Sequence, residues 1–211
     1  MKENFCDDEK NIKLYSELVE KFGIDIRSLN WGSRASQELR FSILSHVGKI
    51  EGATILDVGC GLGDFYEWLT KNNKTVEYSG IDITPKMIEI ARQRFLGVDF
   101  HLENLLRDRD LSKTNTPPEY DFILASGIFA HRQNVPMTFL ENMVTEMFRY
   151  CRKAVAFNSL SAWCEDKEEG EFYADPLDTL KYCRSITPWV TLRHDYHPRD
   201  FTIYMYKERN V

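Results

Sequence analysis

The chain has 211 residues, of which 43% are hydrophobic, and its formal net charge is −6 at pH 7. This length fits one domain of ordinary size, and no apolar run approaches the roughly 20 residues that cross a membrane. The acidic balance argues against a nucleic-acid partner, whose binding surface is basic. Residues 1–10 are too polar for a signal peptide. The five scattered cysteines contain no Cys-x-x-Cys pair, so we expect no metal site, no disulfide framework and a cytoplasmic location.

Hydrophobic spacing predicts two helices before the first strand, over residues 11–22 and 36–50, with a loop between them. From residue 54 onward, strand and helix patterns alternate, which predicts a parallel sheet with helices on both faces. The expected strands cover residues 54–58, 77–83, 98–102, 120–125 and 154–158, and the helices between them cover residues 64–71, 85–95 and 135–150.

The last part of the chain follows a different pattern. Strand-like runs at residues 190–195 and 201–207 are joined by five residues, too few for a helical crossover, so these strands are expected to pair antiparallel. The complete pattern predicts an α/β fold with a seven-stranded, mostly parallel, doubly wound sheet and an antiparallel last hairpin, preceded by two N-terminal helices. The polar segment 107–119 and the acidic run 165–171 are expected to be solvated loops.

The most informative stretch is Ile-Leu-Asp-Val-Gly-Cys-Gly-Leu-Gly at residues 55–63. A predicted strand finishes near Asp57, and Gly59, Gly61 and Gly63 then let the backbone turn sharply and approach a ligand. Strand, glycine turn and helix together predict a nucleotide-type pocket at the carboxyl edge of the sheet. The loop lacks the Gly-Lys-Ser/Thr ending of a triphosphate-binding loop, and its glycine spacing differs from the dinucleotide fingerprint.

Carboxylates near this loop restrict the ligand further. Asp57 precedes the glycines and Asp64 follows them, and both positions favour a cationic group over a pyrophosphate. Asp82 follows about 20 residues later, at the end of the second strand, where a carboxylate accepts hydrogen bonds from a ribose diol. A cationic amino-acid moiety joined to an adenosine, as in S-adenosylmethionine, fits these carboxylates.

With these motifs the sequence resembles the class I (Rossmann-like) S-adenosylmethionine-dependent methyltransferases. The resemblance covers roughly residues 54–158 and includes, in order, the segment 55–64, Gly-Ile-Asp-Ile-Thr-Pro-Lys-Met-Ile-Glu-Ile-Ala-Arg at 80–92 and Tyr-Asp-Phe-Ile-Leu-Ala-Ser-Gly-Ile-Phe at 120–129. Segments at 31–41, 125–129, 157–160 and 194–203 are similar to a largely uncharacterised bacterial small-molecule branch. The resemblance implies one compact unit, with a helical cap over residues 1–50 and a Rossmann-like methyltransferase domain over residues 51–211.

The resemblance also implies roles at the cofactor site. Asp57 and the backbone of Gly59 and Gly61 would hold the methionine portion, Asp82 would bind the ribose hydroxyls, and Ile83 would pack on adenine.

Other cofactor contacts are implied less directly. Asn104, with Leu105 beside it, would meet the adenine amino group, and Glu103 is the competing assignment. Ser126 and Gly127 would line the pocket beside the methionine moiety. Trp31, Gly32 and Arg40 would meet the carboxylate end of the cofactor; the alternative is a core tryptophan and a solvated arginine.

Acceptor contacts must project from the carboxyl edge of the sheet. His131, after the fourth strand, is the first candidate for a base or acceptor-orienting group, and its alternative is a loop histidine that caps the next helix. Asn158 ends the fifth strand, where an amide favours ligand contact. His194 and Tyr196 end the sixth strand, where they either take part in catalysis or only stabilise the turn.

Other residues are weaker candidates. Arg132 and Arg199 could recognise an anionic acceptor. Tyr173 could form a wall of the acceptor pocket, and Asp175 could cap the helix that follows. Cys60 has no histidine next to it, which argues against a nucleophile.

The expected function is methyl transfer from S-adenosylmethionine to oxygen or nitrogen of a small molecule, with a sugar, surface-glycan or secondary-metabolite intermediate as candidate acceptor. Two alternatives remain: an RNA or protein methyltransferase, and a non-catalytic S-adenosylmethionine-binding partner subunit. We expect a monomer or homodimer with no nucleic-acid or membrane partner.

Overall fold

The computed structural model describes residues 7–107, 120–131 and 133–209. Within these residues the sheet has eight strands in the order β3-β2-β1-β4-β5-β8-β7, with β6 paired to the end of β5. The strands are β1 (Thr54–Val58), β2 (Glu77–Asp82), β3 (Asp99–Leu102), β4 (Tyr120–Ala125), β5 (Cys151–Ser161), β6 (Tyr173–Ala174), β7 (Val190–Arg193) and β8 (Asp200–Tyr206).

The helices alternate with the strands after an N-terminal helical segment. They are α1 (Asp8–Phe22), a 3-10 helix (Ile26–Leu29), α2 (Arg34–Ser45), α3 (Asp64–Lys71), α4 (Pro85–Arg94), α5 (Pro136–Tyr150) and α6 (Pro176–Ile186). None of the helices in the described ranges is both long and apolar enough to cross a bilayer.

The predicted fold class is confirmed. Strands β1 to β5 run parallel, and β8 runs antiparallel between β5 and β7. The additional strand, β6, is only two residues long, too short to produce a sequence period. Most of the loop expected at residues 107–119 lies outside the described residues, and so does Arg132.

Several boundaries differ from the sequence prediction by a few residues, among them the ends of β5 and α2. β5 continues to Ser161 rather than ending at residue 158, because Ser159 and Leu160 pair with β8 although the apolar run has stopped. α2 ends at Ser45 rather than residue 50, because the backbone turns at His46, whose N–H bonds to the carbonyl of Ile43.

Both faces of the sheet are covered, as a parallel sheet requires. On one face, Leu140 and Val144 of α5 pack over Leu56 and Val155. On the other, Phe65 of α3 packs in a second cluster with residues of α2 and α4. Each such side chain contributes roughly 1.5–3 kcal/mol on full burial. The strand order reverses between β1 and β4, so a crevice opens at the carboxyl ends of these strands.

Candidate active site

A cavity of about 780 Å³ lies at this crevice, within the range of small-molecule sites. Residues that follow four neighbouring strands line it, together with residues from α1 and from the segment that leads into α2. The predicted site residues on its wall are Trp31, Arg40, Gly59, Gly61, Asp82, Ile83, Asn104, Leu105, Ser126, Gly127, His131 and Asn158.

The backbone conformation of the turn after β1 requires glycine. Gly59 has φ 75°, and a Cβ at this position would lie 2.2 Å from Cγ2 of Ile128. The N–H groups of Gly59 and Cys60 both donate to the carbonyl of Ile81, at 2.8 and 3.0 Å. These bonds fix the turn against the end of β2 and leave its backbone open toward the cavity.

Asp82 is held at the end of β2 by backbone donors. Its Oδ2 accepts from the N–H of Gly61 at 3.0 Å, and its Oδ1 accepts from the N–H of Thr84 at 2.8 Å. Burial raises the pKa of Asp82, while the bonds from Thr84 and Gly61 lower it. A carboxylate offers about four lone-pair sites, so both oxygens retain capacity for a ligand diol.

The structure contradicts the expected ligand-facing positions of Asp57 and Asp64. Asp57 is 3% exposed, does not line the cavity and accepts a 2.6 Å hydrogen bond from Oη of Tyr78. β1 continues to Val58, and the alternation of side chains along a strand turns Asp57 toward the face that holds Tyr78. Asp64 also lies off the cavity wall and pairs with Arg94 at 2.7 Å.

Asn104 connects the β3 side of the cavity to the N-terminal helix. Its Oδ1 accepts from the N–H of Leu106 at 2.9 Å, and its Nδ2 donates to Asp8 of α1 at 2.8 Å. Ile83, Glu103 and Leu105 line the cavity beside it. Both candidates for the adenine contact, Asn104 and Glu103, are therefore on the wall.

Arg40 is part of the cavity wall and is not solvated. It is 7% exposed, its guanidinium lies 4.7 Å from the centre of the Trp31 ring, and its Nη1 donates to the carbonyl of Ser36 at 2.8 Å. Nη2 pairs with Asp200. Trp31 in turn packs on Gly127, and a Cβ at Gly127 would lie 2.8 Å from Cζ2 of Trp31.

Asn158 contacts the loop after β4. Its Oδ1 accepts from the N–H of Gly127 at 2.9 Å, and its Nδ2 donates to Oγ of Ser126 at 3.3 Å. The side chain thus shapes the loop while also lining the cavity.

His131 lies in the same loop region, with its ring against Tyr15 of α1. The ring centroids are 5.3 Å apart with an interplanar angle of 77°. Burial lowers the pKa of His131, and the nearby charge of Glu171 opposes this effect. The neutral imidazole therefore predominates near neutral pH. His131 does not cap the next helix, because α5 begins at Pro136.

His194 and Tyr196 are displaced from the expected site, since neither lines the cavity. Nε2 of His194 lies 2.8 Å from Oγ of Ser161, and Oη of Tyr196 lies 2.8 Å from Oγ1 of Thr202. The second half of the β7–β8 turn lies at the cavity instead of these two residues. The turn residues on the wall are His197, Arg199 and Asp200.

The acidic run 165–171 is exposed over residues 165–170, as predicted, and Arg199 binds it at two glutamates. Arg199 donates from Nη1 to Glu168 at 2.8 Å and from Nη2 to Glu171 at 3.0 Å. Nη2 also donates to Oη of Tyr173 at 2.9 Å. Both glutamates line the cavity, whereas Tyr173 supports them from behind.

The remaining candidates, Asp175 and Cys60, have structural roles. Oδ1 of Asp175 accepts from the N–H groups of Leu177 and Asp178, at 2.8 and 3.0 Å, and so caps α6. Cys60 is buried, and burial raises its thiol pKa well above the usual value, which argues against a nucleophile.

The chain is similar to known methyltransferases. Residues 56–155 match the methyltransferase domain family. Rv1506c of Mycobacterium tuberculosis, which carries the name of a methyltransferase, is 29% identical over 164 residues, covering 73% of this chain and 93% of that protein. The fold resembles the S-adenosylhomocysteine-bound magnesium protoporphyrin IX methyltransferase of Synechocystis PCC 6803, with a TM-score of 0.65, 12% identity and 97% of each chain covered.

Residues 56–155 match a methyltransferase domain, and this match together with the shared fold supports a class I S-adenosylmethionine-dependent methyltransferase. A second relative of this methyltransferase is the ubiquinone biosynthesis O-methyltransferase of Hydrogenovibrio crunogenus, 33% identical over 94 residues, which are 44% of this chain and 38% of that protein. The cofactor is S-adenosylmethionine. The cavity fits it: a buried carboxylate ends β2, a glycine turn that borders the cavity follows β1, and a buried arginine lies on the cap side.

Sequence reasoning missed several wall residues of the methyltransferase, among them Tyr15, His197 and Asp200. Tyr15 matched the helical period of α1 and was interpreted only as an apolar position. His197 and Asp200 belong to the β7–β8 turn. The sequence contained one indication of their role, because both lie within the segment 194–203 that is similar to the bacterial branch.

Proposed function

We propose that this methyltransferase transfers a methyl group from S-adenosylmethionine to an oxygen or nitrogen atom of a small molecule. The observation that carries the proposal is His131, a half-buried imidazole on the cavity wall, in the loop that follows β4. The names of the relatives support a small acceptor, since one acts in ubiquinone biosynthesis and a structural neighbour acts on magnesium protoporphyrin IX.

For the adenosine part of the cofactor, we infer contacts with the residues that follow β2 and β3. Asp82 would accept hydrogen bonds from the ribose hydroxyls. Ile83 and Leu105 would pack on the adenine, and Asn104 would meet its amino group.

For the amino-acid part, we infer contacts with the turn after β1 and with the cap. The backbone of Gly59 and Gly61 would approach the methionine portion, with Gly127 on the opposite side. Arg40, next to Trp31, would bind the carboxylate, because a guanidinium fork matches a carboxylate in shape and charge.

When bound, S-adenosylmethionine supplies a methyl group attached to a positively charged sulfur. The protein then needs chiefly to orient the acceptor, and positioning alone is worth about 7–11 kcal/mol. We propose that Nδ1 or Nε2 of neutral His131 accepts the proton of an acceptor hydroxyl, or orients an amine that needs no base. A general base of this kind contributes roughly 10²- to 10⁴-fold.

A labelling experiment tests the proposed acceptor class. The protein is incubated with S-adenosylmethionine carrying a radioactive methyl group and with separate small-molecule, protein and RNA fractions of a bacterial extract. We expect label in the small-molecule fraction and none with Asp82→Ala. Label confined to protein or RNA would contradict the proposal and support the corresponding macromolecular acceptor.

A further inference from the structure

The residue Asp200 forms a buried ion pair on the cavity wall that the proposed function does not yet use. Asp200 begins β8 and is 2% exposed. Its Oδ2 pairs with Nη2 of Arg40 on α2, 160 positions away in the sequence. The same Oδ2 lies 2.9 Å from Nδ1 of His197. The pair therefore joins the N-terminal segment to the end of the sheet at the cavity.

Stability alone is a weak reason for this arrangement. Burying two charges costs several kcal/mol per ion, and well-packed apolar residues often replace such a pair without loss. An ion pair does, however, fix the direction of the guanidinium. Arg40 donates from Nη1 to Ser36 and from Nη2 to Asp200, while Trp31 covers one face of its plane. Within the described residues, the Nε–H group has no hydrogen-bond acceptor.

The other described cations on the cavity wall are Arg27 and Arg199, and both are engaged elsewhere. Arg27 is exposed and donates to both oxygens of Asp25, at 2.8 and 3.1 Å. Arg199 bridges two glutamates of the acidic run. Arg40 is thus the described wall cation that is both buried and partly unpaired.

We propose that Asp200 is a positioning residue, which holds the Arg40 guanidinium where it binds the carboxylate of the cofactor. This inference rests on the proposed function, in which Arg40 meets that carboxylate. Asp200 touches no part of the cofactor's amino-acid end and acts through Arg40. Without Asp200 the long side chain regains rotamer freedom, and the carboxylate contact loses its fixed partner.

The binding of two nucleosides distinguishes this positioning role from a general structural role. S-adenosylhomocysteine carries the amino-acid tail, whereas 5′-methylthioadenosine has the same adenosine and thioether without that tail. By calorimetry, we expect Asp200→Asn to weaken S-adenosylhomocysteine about tenfold, a loss of about 1.4 kcal/mol, and to leave 5′-methylthioadenosine unchanged. Arg40→Gln should show the same selectivity with a larger loss.

A double-mutant cycle then tests whether Asp200 acts through Arg40. The variant carrying both Arg40→Gln and Asp200→Asn should bind S-adenosylhomocysteine no more weakly than Arg40→Gln alone. Additive losses would overturn the proposal. So would an equal loss of both nucleosides in Asp200→Asn, or tighter binding of S-adenosylhomocysteine, which would mean that Asp200 competes with the cofactor.

A second variant, Asp200→Glu, separates the proposed role from a folding defect caused by Asp200→Asn. Asp200→Glu keeps the charge and should retain most of the preference for S-adenosylhomocysteine. Loss of that preference in a folded Asp200→Glu would also contradict the proposal. Failure of the proposed methyl transfer gives a different result, because it leaves the binding of both nucleosides unchanged and appears only in the labelling experiment. Failure of the Arg40 contact would make the wild-type protein bind the two nucleosides equally well. Wild-type binding of both, with an unchanged ratio in Asp200→Asn, rejects only this inference.

Discussion

The amide of Asn158 on β5 fixes the backbone of Gly127 after β4, with its Oδ1 accepting the Gly127 N–H at 2.9 Å. This bond crosses between neighbouring strands at the carboxyl edge of the sheet. It sets the course of the loop whose next residues lead to His131. Asn158, predicted as a catalytic candidate, supports the loop after β4 through its bonds to Gly127 and Ser126.

Replacing Asn158 by Ala should therefore loosen this loop. A buried N–H without a partner costs about 1–3 kcal/mol, so we expect S-adenosylhomocysteine to bind up to roughly 100-fold more weakly. Asn158→Asp keeps an oxygen for Gly127 but loses the donor to Ser126, and its loss should be smaller. Calorimetry measures both variants, and equal affinity of Asn158→Ala and the wild type would contradict the supporting role.

Gly127→Ala should damage the site for a second, steric reason. Gly127 has φ 80°, which costs a residue with a Cβ about 1 kcal/mol or more, and the new Cβ would lie 2.8 Å from Trp31. We expect a lower melting temperature and weaker S-adenosylhomocysteine binding. Gly97→Ala is the matched control, since Gly97 has a similar φ of 82° but a Cβ there meets nothing within 4 Å, and Gly97 does not line the cavity. Trp31→Leu should relieve part of the defect, and no relief would indicate that backbone strain alone is responsible.

His131 should titrate below the usual histidine range. Burial lowers its pKa and Glu171 raises it, so Glu171→Gln should lower the pKa further. NMR titration of the imidazole, assigned with His131→Gln, measures both shifts. If His131 acts as a base, the transfer rate should rise with pH and level off above this lowered pKa. A pKa above 6.5, or a profile that His131→Gln does not change, would contradict the proposed role.

The sequence was sufficient where the chemistry is local. Gly59, Gly61 and Asp82 follow directly from strand, turn and helix signals within about 30 residues, which is the length of one strand–helix–strand unit. All three lie on the cavity wall. Their placement needs only the parallel pairing of β1 with β2, which the alternating pattern already predicts.

Residues placed by long-range packing could not be predicted in the same way. Tyr15 reaches His131 only because α1 folds across the sheet edge, and Asp200 reaches Arg40 only because β8 inserts between β5 and β7. The error on Asp57 has a different origin. The strand was assigned correctly, but side chains alternate between the two faces of the sheet. Asp57 therefore points to the face that holds Tyr78 and not into the cavity at the carboxyl end of the strand.

Asp57 should make the stability of the protein depend on pH. Burial raises its pKa to about 7, against the opposing hydrogen bond from Tyr78. A carboxyl whose folded pKa exceeds its unfolded value binds its proton more tightly in the folded state. It therefore adds stability that is fully present below the unfolded pKa, near 4, and is lost as pH rises through about 7.

Asp57→Asn tests this dependence directly. The amide oxygen can still accept the bond from Tyr78, but the side chain no longer ionises, so the decline contributed by Asp57 should disappear. At about 1.4 kcal/mol per pKa unit, we expect the variant to gain up to roughly 4 kcal/mol on the wild type between pH 4 and pH 8. Urea unfolding across this range measures the difference. Tyr78→Phe is the control: it removes the bond that lowers the Asp57 pKa and should steepen the decline. A wild type and Asp57→Asn with parallel stability profiles would show that Asp57 has an ordinary pKa.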